Sequence, residues 1–296
     1  MPFIGEISAL TAAFFWGSTA YLFDFAGKKI GAFPINVLRV FFACLLLGLL
    51  LYIQRGYFYP VHVTRHASFW LGISGIIGLA IGDGALFFAI LSIGPRLATL
   101  VLALAPPLTT IIAWVFLGEK LGIYALLGIT LTITSIVWVV SERGPELQFP
   151  KHKTAGIIYG IIAAIGQGLG VIFAKIGLEN NIDTISATLL RMAPASIALW
   201  IMALFTRQAK PAFLAFNNSR VMGAIIIGTV FGPFLGVWLS IVAVKFTAAG
   251  IASTLLSTVP VLVIPVEIIL FRRIPSTRAI IGTVLAIAGI ALIFMR

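Results

Sequence analysis

Charge is scarce in this chain, and what there is leans one way. Asp, Glu, Lys and Arg together make up 10% of its 296 residues, where a soluble domain carries about 25% to keep its surface wet. Acidic residues number nine against twenty basic ones. A single cysteine, Cys44, forms no internal disulfide and builds no metal cluster. The three histidines, His62, His66 and His152, all fall in breaks between apolar runs, and no HExxH pattern occurs. These shortages exclude a soluble domain, a disulfide scaffold and a metal hydrolase. They leave no catalytic residue, no metal site and no cofactor to name, and the chain is not read as an enzyme. The formal charge of +11 is dispersed among the breaks rather than gathered on one face, which speaks against a nucleic-acid partner and for a bilayer surface.

Apolar residues make up 60% of the chain and the mean hydropathy is +1.13. Segments long enough to cross about 30 Å of hydrocarbon, about 20 residues each, recur with short polar breaks. Ten are expected, near residues 4–24, 33–53, 69–91, 97–117, 121–140, 155–177, 184–205, 220–243, 248–271 and 277–295. Stretches such as LLGITLTITSIVWVV at 126–140 stay apolar throughout, where a barrel strand would alternate. The reading is an all-α integral membrane protein. The first segment has no basic flank or small-residue cleavage site and is expected to stay in the mature protein.

The longest break, SERGPELQFPKHKT at 141–154, lies near the middle and prompts a search for a repeat. A shift of 154 lays IGDGALFFAI on LGVWLSIVAV, Pro106 on Pro260 and Gly128 on Gly282; shifts of 151 and 152 lay Trp16 on Gln167 and Arg39 on Arg191. Two five-helix repeats follow, residues 1–145 and 154–296. Five is odd, so the second copy crosses the membrane in the opposite sense. Inverted repeats of this kind hold a substrate near the midplane and alternate access around it.

The motifs WGS at 16–18, GDGALFFAILSIGPRLATLVLALAPP at 82–107, FLGEKL at 116–121 and STVPVLVIP at 257–265, in this order over two halves, resemble the EamA-type branch of the drug/metabolite transporter superfamily. The resemblance covers essentially the whole chain. It implies a ten-helix secondary transporter of the cytoplasmic (inner) membrane, with a central cavity and a small-molecule substrate such as a metabolite, amino acid or drug, often exported. The second half reads LFRRIP where the first has FLGEKL, so Glu119 has no counterpart and reads as a helix-end residue. A channel or a structural membrane subunit is the competing class; saturable flux separates a carrier from a channel.

Polar residues inside the spans are the candidates for chemistry, because a charge at the bilayer centre costs about 2.5 to 3.5 kcal/mol on insertion scales. Asp83 stands deep in span 3 between Gly82 and Gly84; it is expected either to face the cavity, where it could carry a coupling proton, or to pair with Arg39 or Arg191. Those two arginines are charge-pair candidates. Trp16, Phe87, Gln167, Trp238 and Glu267 complete the cavity candidates, each open to a plain packing or interfacial reading, with Phe88 beside Phe87 as a further aromatic. Pro106, Pro107, Pro260 and Pro265 are candidate bends in spans 4 and 9. For orientation, six basic residues fall on the side of the termini and twelve on the other. The positive-inside rule puts the termini outside, whereas the resemblance puts them inside. Oligomeric state is not legible.

Overall fold

A computed structural model of the chain describes residues 3–60, 63–117, 122–142, 153–178, 182–246, 249–272 and 275–295. Glu119 lies outside them. The described residues are helical, and ten spans can be followed. Span 1 is Ile4–Ile30, span 2 Ala32–Arg55, span 5 Ile123–Val140, span 6 Lys153–Gly177, span 7 Thr184–Phe205 and span 10 Thr277–Ile293. Span 3 starts as Arg65–Gly75, widens into a π-helix over Ile76–Gly82, and continues from Asp83. It turns into span 4 at Gly94, whose φ of 80° no other residue adopts as cheaply, followed at once by Pro95. Among the described residues, six stretches are individually long and apolar enough to cross a membrane; the shorter apolar helices Thr254–Ile269 and Thr277–Ile293 accompany them.

The repeat seen in the sequence reappears in the irregularities of the helices. Span 8 runs as Ser219–Thr229, a π-helix over Val230–Gly236, and Val237–Phe246, so its π stretch lies 154 positions after that of span 3. Span 4 breaks between Leu102 and Ala105, and span 9 between Leu256 and Val259, again 154 apart. Pro106 and Pro260 each stand just after the break of their span, where a missing N–H costs least. Pro107 follows Pro106 in the same first turn, and Pro265 lies inside Val259–Phe271.

Close contacts fix how the halves meet. A methyl on Gly128 would lie 2.5 Å from the Gly289 carbonyl oxygen, and one on Gly282 would collide with Val139. The contact partner in span 10 falls in number as the position in span 5 rises, so the two helices are antiparallel. Each such contact is matched by its repeat-related counterpart: Gly128 corresponds to Gly282, and Ser135, which Gly282 approaches, to Gly289. Reciprocal contacts of this form are what a two-fold axis generates. An axis that maps an antiparallel helix pair onto itself lies across the helices, which is the inverted arrangement.

Spans 3 and 8 reach into the opposite repeat in the same way. Gly78 and Gly82 of span 3 pack on Gly170 and Gly166 of span 6, while Gly232 and Gly236 of span 8 pack on Thr19 and Trp16 of span 1. Thr19 is the repeat equivalent of Gly170. Small residues at these crossings let the backbones approach closely enough for dispersion to hold helices together in lipid.

Candidate functional site

The contact of spans 2, 3, 6 and 7 gathers most of the polar side chains that the sequence singled out. Asp83 stands directly after the π stretch of span 3 and is 7% exposed. One of its oxygens, Oδ2, accepts from Nη2 of Arg39 in span 2, and the other, Oδ1, accepts from the Gln167 amide in span 6. The carboxylate thus joins the two repeats. Arg39 donates its Nε to Oδ1 of Asn36 at 3.0 Å, and its guanidinium lies 4.7 Å from the centre of the buried Phe87 ring. Ion pair, hydrogen bonds and ring together offset the desolvation of a charge that is 5% exposed.

Asn36 was not anticipated as part of the site. Its Nδ2 donates to the carbonyls of Leu79 at 3.0 Å and Ala80 at 3.2 Å, both inside the π stretch. A side chain that feeds the carbonyls of a widened turn stabilises the irregularity that places Asp83. The available signal was a lone amide in an apolar span, one helical turn before Arg39.

Arg191 converges on the same place from span 7 without the same reception. It is 6% exposed, and its Nε is buried with no hydrogen-bond partner among the described residues. Its Nη2 runs beside Gly78, 3.7 Å from where a Cβ would be. It feels the field of Asp83, but both oxygens of that carboxylate are already engaged. The cluster holds two guanidiniums and one carboxylate.

The remaining candidates lie around this cluster or apart from it. Half-buried Trp16 packs on Gly236, and half-buried Trp238 donates its Nε1 to Thr184 Oγ1 at 2.9 Å. Both rings rest on the apolar cluster that contains Leu79, Ala80 and Val237. Phe88 is exposed and stacks on Tyr159 of span 6 at 5.2 Å. Glu267 stands elsewhere: it pairs with Arg96, at the start of span 4, at 3.6 Å. Arg96 falls in the break between the expected spans 69–91 and 97–117, whereas the structure places it in the first turn of span 4. A separate hollow of about 380 Å³ between spans 2 and 7 is lined by Leu38, Phe41, Trp200, Phe213 and Phe216.

Two apolar five-span repeats joined by a buried polar cluster across an in-plane pseudo-two-fold define a membrane transport protein of the inverted-repeat type. The chain belongs to the EamA-like transporter family, whose model matches it twice, over residues 3–141 and 154–295. This agrees with the drug/metabolite transporter superfamily as the wider group. An uncharacterized transporter of Bacillus subtilis (strain 168), YyaM, is 29% identical over 222 residues, 74% of this chain and 70% of that protein. A solved crystal structure of another protein superposes with a TM-score of 0.62 at 17% identity, covering 97% of this chain and 95% of the other; it speaks to the fold alone.

Proposed function

We propose that the protein is a secondary transporter of the cytoplasmic membrane that moves a small organic solute, in the export direction, by alternating access at the Arg39–Asp83–Gln167 cluster. The observation that carries this reading is that one carboxylate binds Arg39 of the first repeat and Gln167 of the second. Rocking of inverted repeats changes the contacts between them. A charge network that joins the two repeats can be made in one state and broken in the other, and the π stretches of spans 3 and 8 supply helix segments able to readjust. The half-buried Trp16 and Trp238 supply apolar walls for an organic body.

Within this reading Asp83 is chiefly the counter-charge that holds Arg39 in place. A coupling proton on Asp83 requires the pair to open in the other state, with Arg39, Gln167 and Arg191 as the groups facing the freed carboxyl. The test is counterflow in proteoliposomes loaded with candidate metabolites, chosen from a mass-spectrometric comparison of cells lacking and overproducing the protein. Saturable, trans-stimulated flux that is lost in Gln167→Leu supports the carrier. Flux that rises linearly with concentration overturns it in favour of a channel, and an absence of any flux favours a structural subunit.

A further inference from the structure

The repeat makes Arg39 and Arg191 counterparts, but it does not treat them alike. Arg39 meets Asp83 in span 3 of its own repeat; the residue 154 positions on from Asp83, where Arg191 would find its carboxylate, is the buried Val237. Arg191 instead extends toward Gly78 in span 3 of the other repeat. Arg39 pairs with that one carboxylate, whose two oxygens are taken, and Arg191 lies in its field beside Gly78 without pairing to it. Arginine does not shed its proton in proteins, so it has no neutral form to retreat to. A buried guanidinium with an unfilled donor is costly in proportion to its isolation.

From this surplus we infer that the solute carries a carboxylate and that Arg191 is the residue that binds it; the inference rests on the transporter reading above and specifies its substrate class. Nε of Arg191, buried and unpartnered, is the donor that a carboxylate oxygen would take, and the guanidinium fork matches the spacing of a carboxylate. The incoming charge balances the cluster at two positive and two negative groups. Asp83, by holding Arg39 and Gln167, keeps those donors from competing for the ligand. The apolar cluster that contains Leu79 and Ala80 of span 3, with half-buried Trp16 and Trp238 packed on it, makes the surroundings apolar and favours an apolar body over a second charge. The cluster repels a cationic solute, and a neutral one can offer Nε an acceptor oxygen but not the charge that balances the second guanidinium.

The test uses the full chain in lipid nanodiscs and reads thermal unfolding and competition binding at constant ionic strength. Acetate, isobutyrate and benzoate are each compared with the matching amide and amine, and with chloride and inorganic phosphate. Stabilisation that saturates with at least one carboxylate, and not with its amide or amine, is the expected result. In Arg191→Gln the apparent affinity for that carboxylate falls by about 10- to 100-fold, the range set by losing a charge-assisted hydrogen bond, while Arg191→Lys retains part of it. The wild-type panel decides the carboxylate class, Arg191→Lys, which keeps the buried charge, decides the Arg191 assignment if Arg191→Gln fails to fold, and unchanged affinity in either folded variant overturns that assignment. No effect from any of the three carboxylates, an equal effect from amide or amine, or an equal effect from chloride or phosphate overturns the proposal. Saturable counterflow of a neutral or cationic solute would leave the transporter reading standing and remove this one, whereas non-saturable flux removes the reading beneath it.

Discussion

Thr132 donates its hydroxyl to the carbonyl of Ala286 at 3.2 Å, and Ala286 is its own counterpart 154 residues later. A residue that touches its repeat equivalent lies on the axis relating the copies, so the pseudo-two-fold passes between spans 5 and 10 at this point. The glycines on either side, Gly128 and Gly289, let the two backbones meet there. Gly289→Ala is expected to destabilise the protein by about 1–3 kcal/mol, because the added carbon would collide with Thr132 Oγ1 and lie 2.7 Å from the Thr132 nitrogen and 2.8 Å from the Gly128 carbonyl oxygen, and the backbone atoms cannot step aside. Gly223→Ala, where a Cβ meets nothing within 4 Å, is the matched control and should be neutral or slightly stabilising. Thermal unfolding in detergent of the two variants checks the contrast, and equal behaviour would remove the axis from its structural role.

Arg96 and Glu267 join the start of span 4 to the later part of span 9, away from the central cluster. The Arg96 and Glu267 side chains are 21% and 15% exposed and Oε2 of Glu267 is buried, so Glu267→Gln leaves the Arg96 guanidinium without its counter-charge and should cost about 1–3 kcal/mol in stability. A covalent tie tests the motion itself. Arg96→Cys with Glu267→Cys, in a Cys44→Ser background, should crosslink with a short bifunctional reagent and slow transport several-fold, with recovery on reduction, if spans 4 and 9 part during the cycle. Crosslinked protein with unchanged flux would show that this end does not open.

Orientation is testable without knowing the substrate. The twelve basic residues on the side opposite the termini outnumber the six beside them. Topology follows basic residues themselves and not net charge, so pairing such as Lys28 with Asp24 at 2.5 Å leaves the asymmetry intact. The expected outcome is an active alkaline phosphatase fused at the C-terminus and an inactive one fused within residues 143–152. The reverse pattern would show that short-loop charge does not set topology here and would match the orientation implied by the family resemblance.

Much of this architecture could be read from the chain because it is written in composition and spacing. Apolar length located the spans, and the recurrence of Gly82 as Gly236 and Pro106 as Pro260 revealed the repeat. The site was legible only in its residue types. Asp83, Arg39 and Gln167 stood out as polar groups in apolar surroundings, but their meeting depends on spans separated by 44 and 84 positions, which no local pattern encodes. Asn36 passed unnoticed because an uncharged amide is a weak signal, and its acceptors exist only because Ile76–Gly82 is π-helical. Nothing in IIGLAIG separates a π turn from an α turn except its glycines. Arg96 was assigned to a loop because a span boundary uncertain by a few residues is enough to move a charge from a helix into a loop.

The Arg39–Asp83 pair gives the most discriminating stability test, because its two halves are not equivalent. Removing Arg39 as Arg39→Gln leaves Asp83 in the field of Arg191, which reaches span 3 beside Gly78 and can take over as its counter-charge. Removing the carboxylate as Asp83→Asn leaves two buried guanidiniums and no anion at all. The second change is therefore expected to be the costlier, about 3–5 kcal/mol, the range for stranding a buried charge. The double variant Arg39→Gln with Asp83→Asn strands only Arg191 and should be more stable than Asp83→Asn alone. Chemical unfolding of the three variants in mixed micelles measures the order. If Arg39→Gln proves as damaging as Asp83→Asn, Arg191 does not share the carboxylate, and the two arginines belong to separate electrostatic sites.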